Sequence, residues 1–246
     1  TAILDALAAT GLVGVGDLAR TLGVSEATLR RDLALLESQN LIKRTHGGAR
    51  LQDVSDERPV RYRDAQNRQA KLRIAQACAA SVARRPQAIA FGGGTTTTEV
   101  ARQLADRSEL TIITNAINIA MELTMRPRAR VFVTGGLMRS ESYELVGAWT
   151  ERFLESLNIA VAIMGVDGIS VDGGLTTHDA VEARTNQRMI ERAQKVIVVA
   201  DGSKLGQVTM ARMADISDVD LLITAVDAPA DQVGALRARG LDVVLV

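Results

Sequence analysis

Aromatic side chains are scarce in this chain, 2% of 246 residues, which argues against a protein that grips single-stranded bases on a platform of exposed rings. Cysteine is scarcer still. Cys78 stands alone, so thiols can build neither an internal disulfide nor a zinc site. Among Ala77, Ala79 and Ala80 on an expected helix it reads as a small core residue. No apolar run approaches the roughly 18 residues of a membrane span, and no signal-peptide pattern precedes the first helical repeat, so a cytoplasmic location is expected. Neither sign of charge is in excess, with 29 Lys and Arg against 29 Asp and Glu. Attraction to a polyanion must therefore come from a local patch rather than from the whole surface. Apolar residues are plentiful at 47%, enough for the core of one large or two ordinary domains. The repeat Ile3, Leu4, Leu7 is already running at Thr1, and a few further residues are expected before it.

The most informative stretch runs from Leu22 to Leu51. Leu29, Leu33 and Leu36 recur at helical spacing and make one apolar stripe. At about 100° per residue the opposite face carries Ala27, Arg31 and Ala34, flanked by Thr28 and Arg30. Ser25 is placed to cap the first turn with its hydroxyl, and Val24 and Leu29 occupy the two positions of a hydrophobic staple. Upstream, Leu18, Ala19 and Leu22 predict a short helix closed by Gly23, which tolerates the positive φ of a tight turn. Downstream, residues 41–51 hold two extended runs about Gly47 and Gly48, a hairpin pattern. Together these elements read as a winged helix-turn-helix.

Arg30 and Arg31 have the planar fork suited to guanine edges, and Ala27 and Thr28 can pack on thymine methyls. Lys43, Arg44 and Arg50 lie where a wing would meet phosphates. A solvated face is the plain alternative for any single arginine, but here several cues coincide. Duplex DNA is the expected partner, and the candidate contacts are Ser25, Ala27, Thr28, Arg30, Arg31, Lys43, Arg44, His46, Gly47 and Arg50. Through Val24-Ser25, Thr28-Leu29-Arg30-Arg31-Asp32-Leu33 and then Arg44, His46, Gly47, Gly48 and Ala49, residues 2–51 resemble the DNA-binding domain of the DeoR family of bacterial transcription repressors.

Residues 52–70 are polar and mixed in charge at their start and read as a linker after a first domain of 1–51. A helix is expected over 64–82. From there on, short apolar runs at 88–91, 110–113, 131–133, 159–164, 196–200, 221–224 and 243–246 alternate with helical segments at 99–104, 116–125, 180–192 and 231–238. That alternation predicts an α/β domain over 71–246 with a mostly parallel sheet covered on both faces.

In such a sheet, ligands bind outside the carboxyl ends of the strands. The loops there are Gly92-Gly93-Gly94-Thr95-Thr96-Thr97, Thr114-Asn115, Thr134-Gly135-Gly136, Gly165-Val166-Asp167-Gly168 and Asp201-Gly202-Ser203-Lys204. A glycine-threonine loop running into a helix N-terminus suits a phosphate. It lacks the Lys of a nucleoside-triphosphate loop and the third glycine of a dinucleotide fingerprint, so a small phosphorylated ligand is expected and no cofactor or metal. Lys204 is placed to neutralise a phosphate, and Asp167 and Glu182 to accept from sugar hydroxyls. His178 reads as ordinary surface.

These loops, with Gly174-Leu175-Thr176, resemble the DeoR effector-sensing domain, which is similar in fold to ribose-5-phosphate isomerase and the acyl-CoA transferases. The resemblance implies a sugar-phosphate sensor that also carries the oligomer contacts. The candidate effector site is Gly92, Gly93, Gly94, Thr95, Thr96, Thr97, Asn115, Gly135, Asp167, Glu182 and Lys204. Many relatives place Asp-Ser before Gly-Thr-Thr, whereas Gly92-Gly93 stands here, so one carboxylate is expected to be missing from the pocket. The stretch Ser142-Tyr143-Glu144-Leu145-Val146-Gly147 resembles amino-sugar regulators of the family. The alternatives are a sugar-phosphate isomerase-like enzyme with an appended DNA-binding domain and a protein-binding winged-helix adaptor. The enzyme reading is weakened because Val166-Asp167-Gly168-Ile169 offers a single acid where proton transfer needs a pair. The expectation is a DNA-binding regulator, not an enzyme: a repressor that works as a homo-oligomer under control of a phosphorylated sugar.

Overall fold

The structure is a computed structural model that describes residues 3–4, 6–7, 13–38, 42–45, 48–51, 57, 59–64, 66–85, 87–126 and 129–246. The chain divides into two compact units, Thr1–Arg58 and Pro59–Val246.

In the first unit the helices Val15–Leu22 and Glu26–Ser38 follow one another across Gly23, whose φ of 67° lets its N–H turn back to the Ala19 and Arg20 carbonyls. Of the predicted stripe Leu29 and Leu33 are buried, with Leu7, Leu18, Ile42 and Ala49 in a small core, and Leu36 is half-buried at its end. Ser25 caps the second helix, its Oγ accepting the Thr28 N–H at 3.2 Å. A three-stranded antiparallel sheet completes the unit, built from β1 (Val13–Gly14), β2 (Ile42–Thr45) and β3 (Gly48–Leu51) in the order β1-β3-β2. β2 and β3 form the predicted hairpin, with Lys43 opposite Arg50. His46, Gly47 and the side chain of Arg50 lie outside the described residues.

The second unit is built on a seven-stranded parallel sheet of β4 (Gln87–Phe91), β5 (Leu110–Thr114), β6 (Arg130–Val133), β9 (Val161–Met164), β12 (Val196–Val199), β14 (Leu221–Thr224) and β15 (Asp242–Leu245). The remaining strands are β7 (Leu137–Met138), β8 (Leu145–Val146), β10 (Gly168–Ser170), β11 (Gly174–Thr177) and β13 (Ala211–Ala214), which form two small antiparallel sheets. The central runs VAIM, VIVV and LLIT are buried throughout, as strands covered on both faces must be. Two apolar clusters, one on each face, form the core. Cys78 lies in one of them, and burial pushes its thiol up to about 12.

The sheet order is β15-β14-β12-β9-β4-β5-β6. The chain starts at β4, winds outward through β5 and β6, then returns to β9 and winds the other way. The topological switch point is therefore between β4 and β9, where an open α/β sheet leaves a crevice at its carboxyl edge. At that point the backbones come very close. A Cβ on Gly165 would lie 2.7 Å from the Gly93 carbonyl oxygen.

Three expectations are corrected here. Residues 59–70 belong to the second unit rather than to a linker. The helix expected over 64–82 starts only at Arg68 and ends at Ser81, because Asn67 takes the left-handed conformation at φ 52°, and a separate short helix, Val60–Arg63, precedes it. The helix expected from Glu99 starts at Thr95, since Gly94 at φ 121° turns the chain and the Thr97 and Thr98 hydroxyls both donate to its carbonyl.

Candidate functional site

On the first unit, the face of Glu26–Ser38 opposite the buried leucines exposes Ala27, Thr28, Arg30, Arg31 and Ala34. These side chains are not equivalent. Arg30 is paired with Glu26 one turn earlier at 3.0 Å, and Ser25 and Thr28 share a hydrogen bond of 2.9 Å between their hydroxyls. On the hairpin Lys43 and Arg44 are exposed, and Arg44 lies 3.9 Å from Glu37.

The second unit has a polar cleft of about 700 Å³, its open mouth included, at the switch point. Gly93, Gly94, Thr95 and Thr96 form one wall, and the helix Thr95–Leu104 points its N-terminus inward. Its first-turn N–H groups have no carbonyl within the helix to pair with and present partial positive charge. Asp167 follows β9, and Asp201, Ser203 and Lys204 follow β12. Arg63, Gln66, Asn67 and Lys71 close the cleft from the start of the unit.

Its electrostatics are tightly balanced. Arg63 Nη1 donates to Asp167 Oδ1 at 2.5 Å. Burial alone would raise the Asp167 carboxyl, but Arg63, then Lys204 and His178, with a bond from Thr177, hold it below the usual range. Burial pulls Lys71 down to about 8, against the opposing pull of Asp201 and Asp64. Asn67 Nδ2 donates to Asp201 Oδ1 at 2.9 Å, and that carboxyl is held low against burial by the Ser203 hydroxyl and N–H, Lys204 and Asn67. Glu182 accepts from Thr177 Oγ1 at 2.5 Å and from Arg139.

Glu144 is the least expected member. It comes from the β7–β8 loop, just after Tyr143 at φ 61°, and is fully buried against the glycine wall. It accepts from the Gly93 N–H at 2.8 Å, Asn115 Nδ2 at 2.9 Å and Asn186 Nδ2 at 3.0 Å. Burial, and then the charge of Glu182, raise its carboxyl well above the usual glutamate value. A Cβ on Gly93 would meet Glu144 Oε1 at 2.2 Å. The carboxylate expected to be missing at Gly92-Gly93 is thus supplied by Glu144, which occupies the space that a side chain at 93 would fill.

The N-terminal 54 residues match the model of the DeoR-like helix-turn-helix domain, and residues 66–226 match that of the DeoR C terminal sensor domain. The chain belongs to the DeoR family of transcriptional regulators. A putative aga operon transcriptional repressor of Escherichia coli O157:H7 is 34% identical over 247 residues, 99% of this chain and 91% of its own length. The glycerol-3-phosphate regulon repressor of Escherichia coli K12 is 36% identical over 227 residues, 92% of this chain and 89% of its own. Among solved structures, ribose 5-phosphate isomerase from Plasmodium falciparum overlaps 55% of this chain and 51% of its own at 15% identity and a TM-score of 0.40.

As a DeoR-family member the chain is a DNA-binding transcription regulator with a sensor domain. Of the effector residues expected from the sequence, Gly93, Gly94, Thr95, Thr96, Asp167, Glu182 and Lys204 line the cleft. Gly92 does not: it is covered by Met164, whose Cε would lie 2.9 Å from a Cβ there. Thr97 turns its hydroxyl to Gly94 O. Asn115 is buried behind the wall, where it holds Glu144. Gly135 follows β6, two strands away from the switch point, and its carbonyl accepts from Thr150. Sequence reading missed Arg63, Asn67, Lys71, Glu144, Asn186 and Asp201. Three of these carried a local signal: Asp201 heads the loop that ends in Lys204, Glu144 lies in the stretch Ser142–Gly147 singled out above, and Asn186 stands one helical turn after Glu182 on the same face.

Proposed function

We propose that this regulator is a repressor that reads operator DNA with Glu26–Ser38 and the β2–β3 hairpin, and that a phosphorylated sugar or related intermediate in the switch-point cleft controls it. The observation that carries the effector reading is the pairing, in one cleft, of an anion-ready helix N-terminus and Lys204 with carboxylates placed to accept from hydroxyls. The names of the relatives, an aga operon repressor and a glycerol-3-phosphate regulon repressor, favour a carbohydrate-derived ligand. The effector can change operator affinity only by its differential affinity for the two states of the protein. A coupling of about 1 to 3 kcal/mol corresponds to roughly 5- to 150-fold.

The isomerase reading does not fail for want of acids, since the cleft contains Glu144, Asp167 and Glu182. It is disfavoured because the relatives over nearly the whole chain are named as repressors; the acids themselves are held in place, Glu144 by three donors, Asp167 by Arg63 and Thr177, and Glu182 by Thr177 and Arg139. Ligand recovered unchanged from the protein supports a sensor, and turnover defeats it.

Thermal melting against a panel of sugar phosphates and glycerol 3-phosphate, each beside its unphosphorylated form, checks the ligand class. Binding to the native state raises the midpoint by mass action. One phosphate should shift it where the free compound does not, and Lys204→Ala should lose that shift. A panel without any response, or equal response to the free compounds, sinks the phosphate reading.

Self-association is proposed to use the outer β6 edge of the sheet. Phe132 and Val133 on β6, Met121 on the helix Ile117–Thr124, Met125 just after its end, and Met138 on β7 are exposed, and an apolar patch of that kind marks an interaction face. Met125→Glu should lower the sedimenting mass. A variant that keeps the wild-type mass removes this face from the assembly.

A further inference from the structure

We propose that Arg63 and Lys71 bind the anionic group of the effector, so that the segment leading out of the DNA-binding unit is itself a wall of the sensor site. This rests on the cleft being the effector site, and it deepens that reading.

The Arg63 guanidinium is mostly buried and uses Nη1 on Asp167, yet its Nε is buried with no hydrogen-bond partner among the described residues. A buried charged donor left unmade is costly, and Arg63 lines the cleft. Its planar fork presents donors side by side, the arrangement that a phosphate or carboxylate takes in bidentate fashion. Lys71 is buried one turn after Asn67, with Nζ donating to the Arg63 carbonyl at 2.5 Å. The ammonium thus holds the backbone of the residue whose side chain has the spare donor. Lys71 is lowered to about 8, chiefly by burial and in smaller part by Lys204 and Arg63; a dianion placed beside it would oppose that. The spare guanidinium donor beside an ammonium fits a phosphate monoester, whose oxygens accept from both, better than a neutral sugar. Once the phosphate engages Arg63, the Asp167 carboxylate is released toward a ligand hydroxyl.

The segment is tied to the rest of the unit at three places and braced within itself at a fourth. Val60 N–H donates to Glu141 O at 2.8 Å, Arg63 pairs with Asp167, Asn67 with Asp201, and Lys71 with Arg63 O. Pro59 directly follows the DNA-binding unit in sequence. A ligand that exchanges the Arg63–Asp167 pair for its own contacts therefore acts on the first turn of chain beyond the reading head. No longer route through the sensor core is required. Glu141 belongs to the same loop as Glu144, so the glycine wall and this segment meet in one loop.

The experiment is a titration of the full chain with inorganic phosphate and with glycerol 3-phosphate, read by calorimetry. Wild type, Arg63→Ala, Arg63→Lys and Lys204→Ala are compared, with amide hydrogen exchange over 60–71. The wild type should bind at least one probe. Arg63→Ala should weaken binding tenfold or more, and Arg63→Lys should recover little of it, because an ammonium lacks the fork. Exchange over 60–71 should slow with phosphate in the wild type and not in Arg63→Lys.

Arg63→Ala that melts lower but binds the probes as tightly as wild type would reduce Arg63 to a structural role and overturn the proposal. If Lys204→Ala weakens binding in that case, the cleft reading survives. A wild type that binds neither probe overturns both. Arg63→Lys guards against an alanine variant that fails to fold.

Discussion

Arg31→Ala is expected to lose about 1 to 3 kcal/mol of operator binding, roughly 5- to 150-fold in affinity, and to relax base preference at one position of each half-site. The reasoning begins with the buried leucines. Leu29 and Leu33 fix the rotation of Glu26–Ser38, and Arg31 then stands on the face turned away from the core, in the N-terminal half of the helix. That half is the part of a recognition helix that meets base edges. Arg30 has a competing partner in Glu26, although an exposed pair of that spacing contributes only about 0.3 to 0.5 kcal/mol. Arg31 is therefore the stronger candidate and Arg30 the weaker. Lys43→Ala on the hairpin should instead weaken all sequences alike and reduce the salt slope by about 1. Selection of binding sites from a random duplex pool, by wild type and by variant, gives the answer. If Arg31→Ala returns the wild-type sequence profile at wild-type affinity, Arg31 does not read bases.

Gly93→Ala is expected to destabilise the sensor unit by about 1 to 3 kcal/mol, the usual cost of overpacking. The new Cβ would fall 2.2 Å from Glu144 Oε1 and 2.6 Å from its Cγ, and Glu144 cannot swing aside without abandoning three donors. Glu144→Ala should itself be destabilising, because Gly93, Asn115 and Asn186 lose their acceptor. The double variant should be more stable than the sum of the two losses, since the clash disappears with the side chain; such coupling between touching residues is what a double-mutant cycle measures. Additive losses in urea melts would show that Gly93 is not glycine for the sake of Glu144.

The same carboxyl sets a pH dependence. Its folded pKa is raised, so the folded chain holds a proton that the unfolded chain gives up near about 4.3. That contribution is complete below the unfolded value and is lost as pH rises through the folded one. Glu182 is raised as well, by burial, and acts in the same direction in wild type and variant, whereas Asp167 and Asp201 are shifted the other way and act at lower pH, and Lys71 acts only above about 8. Between about pH 5 and 7.5, stability should therefore fall more steeply in the wild type than in Glu144→Gln. Equal slopes would remove Glu144 as the source.

How much of this was legible depended on whether the cause was local. The reading helix was visible because leucine spacing, a serine cap and a preceding glycine all act within a few residues. The parallel sheet was visible because strands buried on both faces must be apolar throughout. Gly93 to Thr96, Asp167 and Lys204 were found by their place after strands, and Gly135 shows the limit of that rule. It too follows a strand, but only the sheet order tells that β6 is an outer strand. Arg63 and Lys71 were hidden for a different reason. A polar stretch of mixed charge looks solvated unless the partners are known, and Arg63 finds its own 104 positions away. Glu144 was hidden by a long-range fit, in which two residues 51 apart share one volume.

The sealed thiol in the sensor core makes the protein convenient to observe. Cys78 is fully buried and burial pushes its thiol up to about 12, so at neutral pH it stays a thiol, whereas the thiolate is the reactive form. Cys78 is the chain's single cysteine. A fluorophore attached through a second cysteine, engineered onto an exposed position of the hairpin or of the outer sheet edge, would report from that place alone, without any need to mutate the core first.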